Sequence, residues 1–415
     1  MSTSGRVTIL GLNYAPEPTG NAPYTTALAK HLQASGEDVT VFTSFPHYPQ
    51  WSRYAGYSGW RSSAQDSDVD LVRLAHWIPN PPRGWRRLAS ELSFGLRLAF
   101  TRWRRPNVVV LVSPALFSSW IAMMRLVLQR RPKRVVWVQD LYSQGMAEMG
   151  EGGGAALRVV RAVERWTLRR AHTVVAIHET MAARMTTTLG VDASRVVVIP
   201  NWSHVTPSDS TPEAAKSELG WPPTFTVLHA GNMGLKQGLE VIVEAARAAA
   251  DDEIDVRFVL LGDGGERKSL QRAAEGLPNL GFVDPLDAQA FPIALAAADV
   301  LVVTEAPGVA EMAAPSKLTS YFAAARPVIA SVSPTGIVAQ IMADSGAGPV
   351  VPGGDGPALL AGIKKVAEDA DLWARAAASA HAYWQRNLGP AQALTTWERV
   401  VQATILGEAY RGDQE

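Results

Sequence analysis

Short runs rich in β-branched residues alternate along this chain with longer stretches of helical periodicity, and no other feature limits its fold as strongly. Residues 6–12 (RVTILGL), 38–43, 69–74, 108–112, 134–138, 173–177 and 196–199 read as strands, with helical stretches between most of them. Such repeats close into a parallel sheet through right-handed crossovers. A polar stretch over 201–211 reads as a linker. Beyond it the pattern resumes, with strands expected at 224–230, 256–261, 280–283, 300–304 and 328–331. At 415 residues the chain exceeds what one hydrophobic core usually supports. The expected architecture is therefore α/β, two Rossmann-like doubly wound domains over 1–200 and 201–385. The terminal segment 386–415, helical over 396–410, is expected to pack back on the first domain. Open parallel sheets bind ligands beyond the carboxyl ends of their strands, so two such domains imply a site in a central cleft between them.

Composition removes several chemistries. There is no cysteine, which excludes disulfides, thiolate metal sites and thiol nucleophiles. Basic and acidic residues balance at 39 each, so net charge gives no reason to expect a nucleic-acid partner. The start of the chain, MSTSGRVTILGLNY, lacks the apolar core of a secretory signal, and a cytoplasmic location is expected. The uncharged run 106–124 approaches membrane-span length. Its β-branched first part, broken by Ser113-Pro114 and followed by a helical 117–128, reads better as strand plus helix.

Three loops follow strands at the expected site. The first, 15–23 (APEPTGNAP), places Gly20 near a helix start, where backbone amides and the helix dipole favour an anion; read alone, it is also an ordinary turn glycine. It is not GxGxxG, so the dinucleotide fingerprint is missing. The second, 230–240 (AGNMGLKQGLE), brings the backbone close through Gly231 and its neighbours and carries Lys236, a possible phosphate partner or a solvated surface lysine. In the third, 314–320 (APSKLTS), Pro315 and Ser316 signal a helix start and Lys317 occupies its first turn. A first-turn lysine opposes the helix dipole, so a nearby anion accounts for it. Two lysines in two loops of one domain suggest a diphosphate. The loop 261–266 (LGDGGE) reads as a tight turn, not a phosphate cradle.

The segments PNWS (200–203), GNMGLKQGLE (231–240), LGDGGERKSL (261–270) and PSKLTSYFAAARPVIA (315–330) together resemble glycosyltransferase family 4. NYAPEPTG (13–20) and FPHYPQW (45–51) are similar to its colanic-acid and exopolysaccharide type. The resemblance covers nearly the whole chain. It implies a GT-B fold and a retaining, metal-independent transferase with no cofactor, using a nucleoside diphosphate sugar. Carried over, Lys236 would hold the diphosphate with Lys317 as helper. Gly231, Asn232, Pro315, Ser316, Lys317, Leu318 and Ser320 would complete the donor site, with backbone amides over 316–318 capping phosphates and Gly20 approaching from the first domain.

The match has departures. Asn232 stands where relatives often carry arginine. The family's paired glutamates fall at Met312 and Ser320, leaving Glu311 and Glu305 as alternative sugar contacts. Asp140, after the strand 134–138, is a candidate to orient or deprotonate the acceptor, or equally a helix cap. His47, Tyr48 and Trp51 are candidate acceptor contacts, though a loop histidine such as His47 is more often incidental. His178, His204 and His229 stand isolated, without metal-ligand spacing, and no metal is expected.

Residues 83–105 (RGWRRLASELSFGLRLAFTRWRR) hold seven arginines, one glutamate and two tryptophans. They fit an amphipathic helix on an anionic membrane surface, or an ordinary core-facing helix with solvated arginines. The expected protein transfers a sugar to a saccharide or lipid-linked saccharide in exopolysaccharide biosynthesis, peripheral on the inner face of the plasma membrane. A catalytically silent nucleotide-sugar-binding subunit and a GT-B nucleotide-sugar epimerase are the alternatives.

Overall fold

The computed structural model describes residues 5–18, 20–80, 84–148, 154–203, 205–308 and 316–410. The chain divides into two compact units, Met1–Pro200 with Ala393–Glu415, and Asn201–Gln392.

The first unit is built on β1 (Arg6–Leu10), β2 (Asp38–Ser44), β3 (Arg61–Asp66), β4 (Val69–Leu74), β5 (Val108–Ser113), β6 (Lys133–Val138), β7 (Thr173–Ala176) and β8 (Val196–Val198), in the order β3-β4-β2-β1-β5-β6-β7-β8. All neighbours are parallel except β3, which runs antiparallel to β4 with Arg61 opposite Leu74. The expected strands appear within a residue or two. β5 (VVVLVS) is buried throughout, as a central strand covered on both faces must be. The helix Leu116–Gln129 follows it, so the uncharged run is strand plus helix. Among the described residues no helix is long and apolar enough to cross a membrane.

β3 was not legible beforehand because RSSAQD is mostly exposed and polar, the composition of a solvated edge strand. The terminal helix Pro390–Leu406 docks on this unit through Trp397, fully buried with its ring centroid 4.7 Å from that of Trp137. Thr404 and Thr173 share a hydroxyl hydrogen bond of 2.9 Å beneath it.

The second unit holds β9 (Phe225–Ala230), β10 (Val256–Leu261), β11 (Leu280–Val283), β12 (Val300–Thr304), β13 (Val328–Val332) and β14 (Val350–Pro352), all parallel, in the order β11-β10-β9-β12-β13-β14. The return to the first unit comes at Ala393, later than the expected 386. Packing explains the shift. Tyr383, Trp384 and Leu388 lie against the core around Leu301 and Phe322, and Ser203 donates to the Leu388 carbonyl at 3.3 Å.

In both units strand order reverses beside the first strand, between β1 and β5 and between β9 and β12. Loops leaving neighbouring strands there diverge to opposite faces and open a crevice.

Replacing Trp397 by Ala is expected to cost about 3–5 kcal/mol through the cavity left against Trp137. Hydrogen exchange should show lost amide protection across β6 and β7, with the second unit unaffected.

Candidate active site

The crevice of the first unit is a cavity of about 140 Å³ lined by Asn13, Gly20, Asn21, His47, Tyr48, Trp51, Arg87 and Glu91, among others. Its loops are fastened by buried charge. Glu17, unnoticed in the sequence, accepts from the backbone amides of His47 (2.7 Å) and Tyr48 (2.8 Å) and from Asn13 Nδ2 (2.9 Å). Arg73 on β4 donates to the carbonyls of Ser44 and Ala15, tying the 15–23 loop to the end of β2. Gly20 has φ +66°, and a Cβ there would lie 3.3 Å from Tyr48, so this position needs a glycine for both reasons.

His47 is not an incidental loop residue. It is fully buried, its Nδ1 lies 3.0 Å from the Phe45 carbonyl, and its ring sits edge-on to Trp51 and His76. Burial holds its pKa below the ordinary range, so the imidazole is neutral. With the proton assigned to Nδ1, Nε2 is a lone-pair acceptor with no hydrogen-bond partner.

Glu91, the single glutamate of the arginine-rich helix Trp85–Phe100, is the second carboxylate that sequence reasoning missed as a site residue. It is buried and accepts from Tyr142 Oη (2.7 Å) and the Phe117 amide (3.1 Å), with Arg87 Nε at 3.7 Å. Burial outweighs these contacts and pushes its pKa up to about 7. It can therefore hold or release a proton near neutrality. Asp140 is exposed between β6 and the helix Tyr142–Glu148, and its charge acts on Tyr142 and on the buried Glu164.

In the second unit the loop after β9 is clamped to the loop after β10. A Cβ on Gly262 would lie 2.0 Å from the Gly231 carbonyl, and one on Gly264 2.3 Å from that of Met233. The Met233 amide donates to the Asp263 carbonyl at 2.9 Å. The 261–266 turn is thus a buttress for the 230–240 loop, which explains its glycines without a phosphate. From the other side, Ala306 donates to the Lys236 carbonyl and Thr304 Oγ1 to that of Gln237.

Lys317, in the first turn of the helix Ser316–Ala323, is laid along Gly231: a Cβ at 231 would meet its Cε at 2.7 Å. Its Nζ lies 3.2 Å from Nε2 of His229. His229, which looked isolated in the sequence, is wholly buried in β9 and held neutral by that burial and by the lysine. Burial lowers the Lys317 pKa to about 8. Lys236 is exposed on the short turn Leu235–Gln237. Asn232 is exposed, its amide close to Gly234, and supplies no charge. Leu318 is in the core and Ser320 is buried, so Leu318 can meet a ligand only through its backbone. Glu305, at the end of β12, is buried and its carboxyl is raised by that burial. Pro315, Glu311 and Met312 lie outside the described residues, and Ser316 is described only as the helix start. Among the described residues no three His, Asp or Glu side chains converge as a ligand set for a metal.

Residues 19–202 match a family model described as a glycosyl transferase 4-like domain, and residues 224–369 one described as glycosyl transferases group 1. The putative colanic acid biosynthesis glycosyl transferase WcaI of Escherichia coli K12 is 30% identical over 336 residues, 77% of this chain and 81% of that protein. Sucrose-phosphate synthase from Thermosynechococcus elongatus superposes with a TM-score of 0.71 at 17% identity, over 97% of this chain and all of the other. Anabaena HepE, solved in complex with UDP, gives 0.67 at 15% identity, over 96% of this chain and 100% of its own. The chain belongs to the family 4 glycosyltransferases, and its two Rossmann-like units are those of the GT-B fold.

The Lys317 environment makes a signed prediction. Its ammonium is disfavoured in the folded protein, so the unfolded chain binds the extra proton between pH 8 and the ordinary lysine range. Stability should rise with pH across that window. Comparing melting temperatures from pH 7.5 to 9.5, the rise should be smaller in Lys317→Met.

Proposed function

We propose that this glycosyltransferase takes a sugar from a nucleoside diphosphate sugar, with retention and without a metal, and passes it to a saccharide of polysaccharide biosynthesis carried on a lipid. The observation that carries the donor reading is Lys317, a mostly buried ammonium laid against Gly231 and a neutral histidine at the β9/β12 crevice. Burying a cation without a carboxylate is costly, and a bound diphosphate repays that cost. Lys236 on the adjoining turn adds a second, solvent-exposed charge. When the glycosidic C–O bond breaks, its electron pair goes to the diphosphate, and fixed positive charge stabilises that build-up. The acceptor oxygen bonds to the same carbon, and its proton passes to the departing phosphate. The protein need then supply no ionised base at that face. The UDP held by HepE and the colanic-acid role given to WcaI accord with this reading.

On the acceptor side, Asn13, Asn21 and the Glu91 carboxyl would offer a neutral polyhydroxylated ligand both donors and acceptors, beside Tyr48 and Trp51, with His47 buried behind them. Asp140 lies after the neighbouring strand β6, and we retain it as an acceptor-orienting residue. Glu305 or Glu311 would meet the transferred sugar.

Lys317→Ala is expected to lower turnover by about 10²-fold or more, and Lys236→Ala to act in the same direction. The check is release of nucleoside diphosphate from UDP-, GDP-, dTDP-, ADP- and CMP-linked sugars in chelator, with a saccharide acceptor present. Unchanged turnover in Lys317→Ala would remove the donor assignment. Product without acceptor would indicate an epimerase, and binding without turnover a silent subunit.

The same reading predicts contact with an anionic bilayer at the cytoplasmic face. On the helix Trp85–Phe100 the buried side is Ser90, Glu91, Phe94, Gly95 and Leu98, while Trp85, Leu96 and Phe100 stand 70%, 52% and 88% exposed. Trp77 stacks on Trp85, and Trp60 lies beneath Arg97. Arg86 and Arg97 lie on the same helix, Arg97 over Trp60, and Arg102 and Arg105 are exposed just after it, whereas Arg87 turns toward Glu91 and Arg104 pairs with Asp70. Aromatic residues flanked by arginine suit a headgroup boundary. Trp85→Asp with Phe100→Asp should reduce binding to phosphatidylglycerol-containing vesicles at least about tenfold, as expected from losing two buried aromatic contacts. Vesicle flotation reads this, with soluble-acceptor activity unchanged.

A further inference from the structure

Parallel strands share one amino-end edge, and in the first unit that edge lies opposite the β1/β5 crevice. β6 begins there at Lys133, β7 at Thr173 and β8 at Val196, and the helix Gly154–Arg169 ends beside them. Together with the stretch after the terminal helix, they enclose a cavity of about 490 Å³. That volume falls within the range of ordinary small-molecule sites.

Its lining is strongly one-signed. Lys133, Arg134, Arg169, Arg170 and Arg195 all face the cavity, and Glu408 is the sole carboxylate among the described lining residues. Some cations elsewhere on this unit have acidic partners, Lys30 at 2.9 Å from Asp66, Arg6 at 3.9 Å from Asp38 and Arg104 with Asp70, while others such as Arg73 and Arg125 are spent on backbone carbonyls. In the cavity, among the described residues, only Arg195 has such a neighbour, Asp192 at 3.7 Å, on its own exposed turn. Arg134 instead directs Nε to Nδ1 of His172 at 3.3 Å, and an imidazole cannot neutralise it. The positive field registers on both groups. Burial and then the charges of Arg134, Lys133 and Arg195 push the His172 pKa down to about 4. Burial with Arg170 and Arg195 lowers that of Arg134. Guanidinium groups that outnumber the carboxylates around a cavity match a phosphate's several oxygens by forked hydrogen bonds.

We infer that this cavity is a second binding site, for a phosphate-rich anion of pyrophosphate or nucleoside-polyphosphate size, on the edge of the sheet remote from the crevice of the first unit. The inference does not rest on the donor reading, which concerns residues of the second unit. Free pyrophosphate and the phosphate headgroup of a lipid share the recognised chemistry.

The test uses the full chain with inorganic pyrophosphate as probe. Calorimetry should show binding retained in Lys317→Ala and weakened at least about tenfold in Arg170→Gln/Arg195→Gln. Both of those arginines are exposed; Arg170 lies over the Trp166 ring at 5.3 Å and Arg195 reaches the Ala171 carbonyl, so the melting temperature of the double variant is checked alongside binding. Each lost phosphate contact should also flatten the salt dependence, because fewer ions are displaced. An independent readout is the His172 imidazole, whose NMR titration should move upward when pyrophosphate neutralises its surroundings. Binding to phosphatidic acid vesicles in the Trp85→Asp/Phe100→Asp background, sensitive to Arg170→Gln/Arg195→Gln and without response to pyrophosphate, would keep the site and assign the phosphate to a lipid. Pyrophosphate binding lost in Lys317→Ala but intact in the arginine pair, or an unmoved His172 resonance at saturation, would overturn it. So would failure of both probes. Loss of binding in Lys317→Ala bears on the donor reading, and loss in the arginine pair on this one.

Discussion

The reversal of strand order beside the first strand of each sheet is the constraint from which the rest of this structure follows. Apart from the β3–β4 hairpin, neighbouring strands are parallel, so their connections cross a face, and at the reversal two successive crossovers leave on opposite faces. The loops between β1 and β5 and between β9 and β12 cannot pack on each other there. Polar side chains that would be costly in a sealed core can occupy the gap. Glu17, His47 and Glu91 gather near one such gap, and His229, Lys317 and Glu305 near the other.

What each gap holds differs in sign and in means of support. In the first unit the carboxylates are satisfied by backbone amides and hydroxyls, which orient them without neutralising them, and burial leaves Glu91 close to a protonation midpoint at neutral pH. In the second unit a lone ammonium leans on a neutral imidazole and on the Cα of a glycine, contacts that fix its position and leave its charge available. The glycines of the β10 loop serve this placement at one remove. Gly262 and Gly264 let the two loops touch through their backbones, which sets the height of Gly231 and hence the track along which Lys317 lies.

Much of this architecture could be read from the chain because buried parallel strands must be β-branched and apolar on both faces, and VVVLV or VLVVT fits few other roles. The elements that escaped notice are those with no apolar debt: β3 is polar at a sheet edge, and β14 is three residues ending in proline. Lys317 could be picked out as a cation at the wrong end of a helix. Its partner His229 lies 88 residues away in a strand and gave no local signal. The same distance hid Glu17 and Glu91. Glu17 acts across 30 residues and Glu91 across 26 and 51, contacts made only when the sheet brings separate loops to one crevice. The domain return point was misplaced for a related reason. The helical pattern continues smoothly through 384–388, and only the packing of Trp384 and Leu388 on the second core shows which unit owns it.

Net charge of zero conceals how unevenly charge is spread over the first sheet. Its carboxyl-end crevice carries buried carboxylates and a neutral imidazole, and its amino-end edge carries cations with little acid among them. The crevice itself is lined by Glu91 and Arg87, 3.7 Å apart, with asparagines and aromatic side chains around them, while Glu17 is buried beside it on backbone amides. On the proposed function, a saccharide hydroxyl would occupy that gap and the diphosphate of the donor would lie in the other unit. Positive charge suited to phosphate is found on Lys317 in the other unit and at the far edge of this one. Under the proposed function, the division between acceptor side and donor side would be an electrostatic property of the two sheets. If Lys317 holds a diphosphate as proposed, its burial would offset the arginine missing at Asn232, because a cation shielded from water acts more strongly on a bound anion than an exposed one does.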